Sequence, residues 1–77
     1  MKVKVKVFAS LRERLGFAER ELDVTAGSTV TDLWAMVAGS PELPADVLAA
    51  VNMDYAKGNA VLTPGDEVAF FPPVTGG

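Results

Sequence analysis

The sequence contains neither cysteine nor histidine. Without cysteine there is no disulfide, no thiolate nucleophile and no sulfur ligand for a metal. Without histidine, the commonest general base and the commonest metal ligand are missing as well. No metal site and no bound cofactor are therefore expected, and a reducing, cytoplasmic compartment fits a cysteine-free chain. Although 49% of the residues are hydrophobic, no apolar run approaches the roughly 20 residues that span a bilayer. The N-terminal lysines alternate with valines and do not precede an apolar block, which speaks against a secretory leader. Net charge is −3 with both signs scattered along the chain, so no basic cluster offers a footprint for nucleic acid. Neither nucleic acid nor membrane is expected as a partner.

What is present fits one small domain. Seventy-seven residues can enclose only a modest core. Lys2 to Phe8 alternates strictly, which predicts a strand with Val3, Val5 and Val7 on the buried face and three lysines in water. Ser10 and Glu13 have the spacing of a capping box, and Leu11, Leu15 and Gly16 complete a short helix. Arg20 to Val24 alternates again and predicts a second strand, antiparallel to the first. Thr29 is placed to cap a longer helix, with Asp32 at its positive end. Val30, Leu33, Trp34 and Val37 form the stripe that packs on the sheet, and Gly39-Ser40-Pro41 ends it.

Glu42 to Asp46 reads as a loop and Val47 to Val51 as a third strand. Asn52-Met53-Asp54 makes a turn, Tyr55-Ala56 a short strand, and Lys57-Gly58-Asn59 another turn. Thr63-Pro64-Gly65-Asp66 fits a type II turn, and Glu67 to Phe70 is the last strand. The order predicts an α+β fold of the β-grasp, ubiquitin-like type, with a mixed sheet and one main helix packed across it. The domain is expected over residues 1–71, with a flexible C-terminal tail over 72–77.

That tail is where chemistry can reside. Pro72 and Pro73 cannot extend the sheet ladder and favour an extended backbone. Val74, Thr75, Gly76 and Gly77 then taper to the two least bulky residues, within about 20 Å of Phe71 when extended. A terminal glycine carboxylate is ionised at neutral pH. It can attack the α-phosphate of ATP, releasing pyrophosphate and forming an acyl adenylate. A sulfur nucleophile can then displace AMP to give a thiocarboxylate, or an amine can displace it to give an amide. Gly76 and Gly77 lack Cβ atoms, so their backbone fits a narrow channel in a partner. If Phe70 faces the core, alternation turns Phe71 outward. There it suits either an interface anchor at the root of the tail or a cover over its own sheet.

The segment Leu62-Thr63-Pro64-Gly65-Asp66-Glu67-Val68-Ala69-Phe70-Phe71-Pro72-Pro73-Val74-Thr75-Gly76-Gly77 strongly resembles the end of the molybdopterin synthase small-subunit family. Phe8-Ala9, Leu11-Arg12-Glu13, Gly16, Thr29-Val30 and Ala50-Val51-Asn52 share the likeness, which spans essentially the whole chain. The resemblance implies a carrier that is not itself an enzyme. A ubiquitin-activating-like adenylyltransferase would adenylate Gly77 with ATP, and a sulfur donor enzyme would leave a thiocarboxylate there. The tail, Pro72 to Gly76, would enter the active site of the large subunit, in a heterotetramer. Gly77 would then pass sulfur to cyclic pyranopterin monophosphate to form the dithiolene of molybdopterin. Three other readings use the same features: a carrier for thiamine thiazole synthesis, a protein modifier joined to lysines through Gly77, and a binding module with an inert tail. The Phe-Phe-Pro-Pro run sets the chain apart from the thiazole carriers.

Overall fold

The computed structural model describes residues 1–73. The alternating N-terminal segment forms β1 (Lys2–Val7), with Val3, Val5 and Val7 fully buried. A short helix α1 (Ser10–Leu15) leads into β2 (Glu19–Asp23), which pairs antiparallel with β1 through Val3–Leu22 and Val5–Arg20. The main helix α2 (Val30–Ala38) follows, then β3 (Leu48–Val51), β4 (Asp54–Ala56) and β5 (Glu67–Phe71). The five strands form one mixed sheet in the order β2-β1-β5-β3-β4. β5 is its centre, parallel to β1 and antiparallel to β3. This is the expected β-grasp arrangement.

α2 forms where the apolar spacing places it. Thr29 Oγ1 accepts from the Asp32 N–H, and the Asp32 carboxylate accepts from the Thr29 N–H, closing a full capping box. Val30, Leu33 and Trp34 are buried, and Gly39 ends the helix in the left-handed conformation. The Trp34 and Phe70 rings meet edge to face with centroids 5.0 Å apart, the geometry aromatic quadrupoles favour. The Trp34 indole N–H has no hydrogen-bond partner among the described residues, so its apolar packing has to outweigh about 1–3 kcal/mol of lost hydration.

Four local expectations are corrected. Ser10 is not a helix cap. The cap position is Ala9, at φ 54° and ψ −134°, and no side chain caps α1. The carbonyls of Phe8 and Ala9 accept from the N–H groups of Leu11 and Arg12, so the tight turn leaves the Ser10 hydroxyl no part. β3 starts at Leu48, because the Val47 N–H bonds the Pro44 carbonyl in a turn. β2 begins one residue earlier than the alternation suggests and ends before Val24, which is buried. β5 runs on through Phe71. The β3–β4 turn has Asn52 at φ 51° and Met53 at φ 73°, the two successive left-handed residues of a type I′ hairpin.

One buried carboxylate joins these pieces. Asp66 is 8% exposed and accepts from the Thr63 N–H at 2.8 Å, the Thr63 hydroxyl at 2.9 Å and the Asn52 amide at 2.9 Å. Asn52 Oδ1 accepts in turn from the Glu67 N–H at 3.0 Å. The Asp66 carbonyl accepts from the Lys4 N–H, and the Gly65 N–H donates to the Lys2 carbonyl. The Thr63 backbone bond, helped by the Asn52 amide and the Thr63 hydroxyl, holds the Asp66 carboxyl below its ordinary 3.8 against the opposing effect of burial.

A carboxyl whose pKa is depressed by folding stabilises the native state above its unfolded pKa. That contribution is lost as pH falls through the folded value. Asp66→Ala is therefore expected to cost about 2–3 kcal/mol at neutral pH in denaturant melts. The unfolding temperature of the native sequence should drop below about pH 4, and more steeply than that of Asp66→Asn. Parallel acid profiles for the two would remove the carboxylate from this role.

Candidate functional site

β5 is hydrogen-bonded on both sides, so the last described residues leave from the middle of the sheet and not from an edge. Phe70 points inward and is fully buried. Its carbonyl accepts from the Phe8 N–H at 3.1 Å. Phe71 turns to the other face, as alternation requires, and is half-buried. It lies opposite Leu48 in the β5–β3 ladder, and its ring is tilted 53° against Tyr55 with centroids 5.9 Å apart. Tyr55 is 77% exposed, and Phe8, at the matching end of β1, is 42% exposed. Pro72 and Pro73 follow without strand structure and are half-buried. Val74, Thr75, Gly76 and Gly77 lie outside the described residues.

The outer face of the sheet divides in two. On the β2–β1 side, Lys2 meets Glu21 at 3.7 Å, and Lys6 meets Glu19 at 3.7 Å and Glu67 at 2.9 Å. The Glu67 partner holds the Lys6 ammonium above its ordinary range, and Lys6 holds the Glu67 carboxyl below its own. These pairs are exposed, so they order the surface more than they stabilise it. On the β5–β3–β4 side the same face carries Ala69, Ala50, Leu48, Phe71 and Tyr55, with no charge among them. The root of the tail thus emerges from an apolar, aromatic collar bordered by paired charges. Among the described residues, no cluster of acidic side chains has the grouping a metal would need.

Of the expected site, the described residues include Phe71, on the outer face of β5, and Pro72 and Pro73, which follow it directly in the chain. The sequence did not signal Tyr55 or Leu48 as neighbours of Phe71. Their proximity depends on register across β3 and β4, and a lone exposed tyrosine in a short strand is an ambiguous cue. The conspicuous Asp66 of the Gly-Asp-Glu-Val stretch belongs to the buried hydrogen-bond cluster and faces no site.

Residues 5–77 match the family model described as the ThiS family. The chain belongs to the ThiS family. Among curated members it is 38% identical to the molybdopterin synthase sulfur carrier subunit of Escherichia coli (strain K12), covering 97% of this chain and 99% of that one. The protein of the same description from Chlamydomonas reinhardtii is 35% identical, and both chains are fully covered. The crystal structure of SAMP1 from Haloferax volcanii, the small archaeal modifier protein 1, superposes with a TM-score of 0.86 at 29% identity, again over both whole chains. The family likeness thus extends over the tail as well as the folded core.

The two adjacent phenylalanines should behave oppositely. Phe70→Ala empties the space beside Trp34 and is expected to cost about 3–5 kcal/mol. Phe71→Ala removes a half-exposed ring and should cost no more than about 1 kcal/mol. Chemical denaturation of both variants checks this.

Proposed function

We propose that this chain is the sulfur carrier subunit of a molybdopterin synthase, with the carboxylate of Gly77 as its working group. The observation that carries the proposal is the tail root: a central strand that ends in Phe71-Pro72-Pro73 within an aromatic collar, on a chain whose curated relatives are named as that subunit. The fold supplies a rigid handle. A strand bonded on both sides resists being pulled out, so a partner can draw on the tail without unravelling the domain. The carrier needs no base or metal of its own, because each chemical step takes place in another protein.

In this reading an adenylyltransferase presents ATP to Gly77. The carboxylate oxygen attacks the α-phosphorus, pyrophosphate leaves, and an acyl adenylate forms. A sulfur donor enzyme supplies the nucleophile that displaces AMP, leaving a thiocarboxylate. The large subunit of the synthase then receives Pro72 to Gly77 in its active site, within a heterotetramer. The thiocarboxylate sulfur passes to cyclic pyranopterin monophosphate, and Gly77 returns as a carboxylate once water has taken up the acyl group. Two sulfurs are needed for one dithiolene, so two loaded carriers are consumed. Phe71 anchors the root of the tail against the large subunit. The work is cytoplasmic, where ATP is supplied.

The similarity to SAMP1 favours one second reading, in which the activated Gly77 is joined to lysines of other proteins. Anti-carrier blots under activating conditions separate the two: a ladder of conjugates supports the modifier, a lone band the carrier.

The direct test mixes the Gly77 thiocarboxylate form, verified by intact mass, with a large subunit and the cyclic precursor. Molybdopterin should form, and deletion of Gly77 should abolish it. No product from a large subunit that works with its own carrier would overturn the proposal. Phe71→Ala should weaken large-subunit binding at least tenfold by calorimetry, the effect of losing about 1.4 kcal/mol from a central anchor, while the fold persists. Unchanged affinity would leave Phe71 as a cover for its own sheet.

A further inference from the structure

β5 is bonded on both sides, so its successive N–H groups point alternately to β1 and to β3. On the β1 side, the Lys4 N–H donates to the Asp66 carbonyl at 2.9 Å and the Phe8 N–H to the Phe70 carbonyl at 3.1 Å. The two rungs are equally spaced on both strands, so the parallel register holds as far as Phe8. In that pattern the next bond runs from the N–H of position 72 to the Phe8 carbonyl. On the β3 side, the Asn52 N–H donates to the Glu67 carbonyl at 2.8 Å. Bonded pairs then recur at every second residue, at Ala50–Ala69 and Leu48–Phe71. The next would join the N–H of position 73 to the carbonyl of Asp46.

Both of those positions are proline, which has no N–H to give. Pro72 removes the bond toward β1, and Pro73 removes the bond toward β3. One proline would close one side only, because neighbouring N–H groups face opposite strands. The adjacent strands end level with this stop. The Phe8 carbonyl accepts from the Leu11 N–H at 3.2 Å. That turn holds Ala9 at φ 54° and ψ −134°, the angles of the first central residue of a type II′ turn, where glycine is the usual occupant. A strained alanine is thus retained where β1 turns aside. On the other flank the Val47 N–H donates to the Pro44 carbonyl at 3.0 Å, so the chain enters β3 from a turn. Pro72 and Pro73 themselves are half-buried and belong to no strand.

We propose that Pro72 and Pro73 form a two-sided stop that sets where the tail leaves the sheet, which makes them positioning residues for sulfur transfer. This rests on the reading above that the tail delivers Gly77 to a partner's active site. A central strand with backbone acceptors on either side would otherwise zip onward, and the Phe8 carbonyl keeps a second lone pair for such a donor. Each residue drawn into the sheet takes about 3.3 Å from the tail. Two take about 7 Å from a reach of about 20 Å, enough to withdraw Gly77 from a site built for the full length.

The test reads amide exchange by NMR on the full chain and, separately, molybdopterin formation from the Gly77 thiocarboxylate form. Pro72→Ala should gain a protected amide at position 72, exchanging at least about tenfold more slowly than an unstructured one, and should shift the Phe8 and Leu11 resonances. Pro73→Ala should do the same at position 73 and shift Asp46 and Val47. The double substitution should protect both amides and slow transfer by about tenfold or more, with the core amides of Val5 and Val68 unchanged. Two glycines inserted after position 73 of the double variant should return the lost reach and restore transfer. Prolines that only stiffen the stalk predict unprotected amides in all three variants, and that result would overturn the stop. Full-rate transfer from a double variant with protected amides, or no rescue by the inserted glycines, would overturn the positioning role. Exchange is read on the carrier alone, so a native chain that yields no molybdopterin loses the carrier role while the stop is still decided by exchange.

Discussion

The parallel pairing of β1 with β5 is the constraint on which the rest of the structure depends. It brings the two ends of the folded domain together at the centre of the sheet and gives β5 a neighbour on each side. Parallel neighbours cannot be joined by a tight turn, so everything between them has to be arranged around that contact. The Asp66 cluster secures the entry to it. Its carboxylate closes the Thr63 turn and binds Asn52, its carbonyl takes the Lys4 N–H, and Asn52 brackets the start of β5. A single residue, through its carboxylate and its backbone carbonyl, thereby ties the β3–β4 hairpin, the turn before β5 and β1 at one point.

The helix packs on this frame. Trp34 and Phe70 occupy the space between α2 and β5, so the residue that begins the exit from the sheet is also a principal core residue. The neighbouring Phe71 faces outward. Two consecutive aromatic residues thus serve two surfaces: one fastens the strand inside, the other shapes the collar around its end. The ion pairs of the β2–β1 half keep the rest of that face hydrated, which confines the apolar ground to the side where the chain departs.

Much of this was legible in the sequence where chemistry is local. The Val3, Val5, Val7 alternation, the Thr29–Asp32 box, the stop at Gly39 and the turn at Pro64-Gly65 each depend on residues within a few positions of one another. They held because tertiary contacts had nothing to override. The start of α1 did not hold. A Ser-x-x-Glu spacing was present, but the carbonyls of Phe8 and Ala9 had already taken the first donors, with Ala9 in a backbone conformation that its residue type does not advertise. The role of Asp66 was hidden for a different reason, since its partner Asn52 is fourteen residues away. The collar of Phe71, Leu48 and Tyr55 likewise exists only once three strands are in register. For the tail, residue types suggested what could happen at Gly77, and the sheet explains what holds the other end of that segment.

The central position of β5 also bears on how the protein is made. The strand that completes the sheet is the last to be synthesised, and β1, the first, waits for it with one side unpaired. A nascent chain that stops before Glu67 lacks both the strand between β1 and β3 and the ring that packs on Trp34, so it cannot close its core. Folding is therefore tied to near-completion of translation, and a ribosome that aborts early releases material recognisable to proteases as unfolded. Placing the final strand in the middle makes closure of the core depend on a chain synthesised at least as far as the root of the tail.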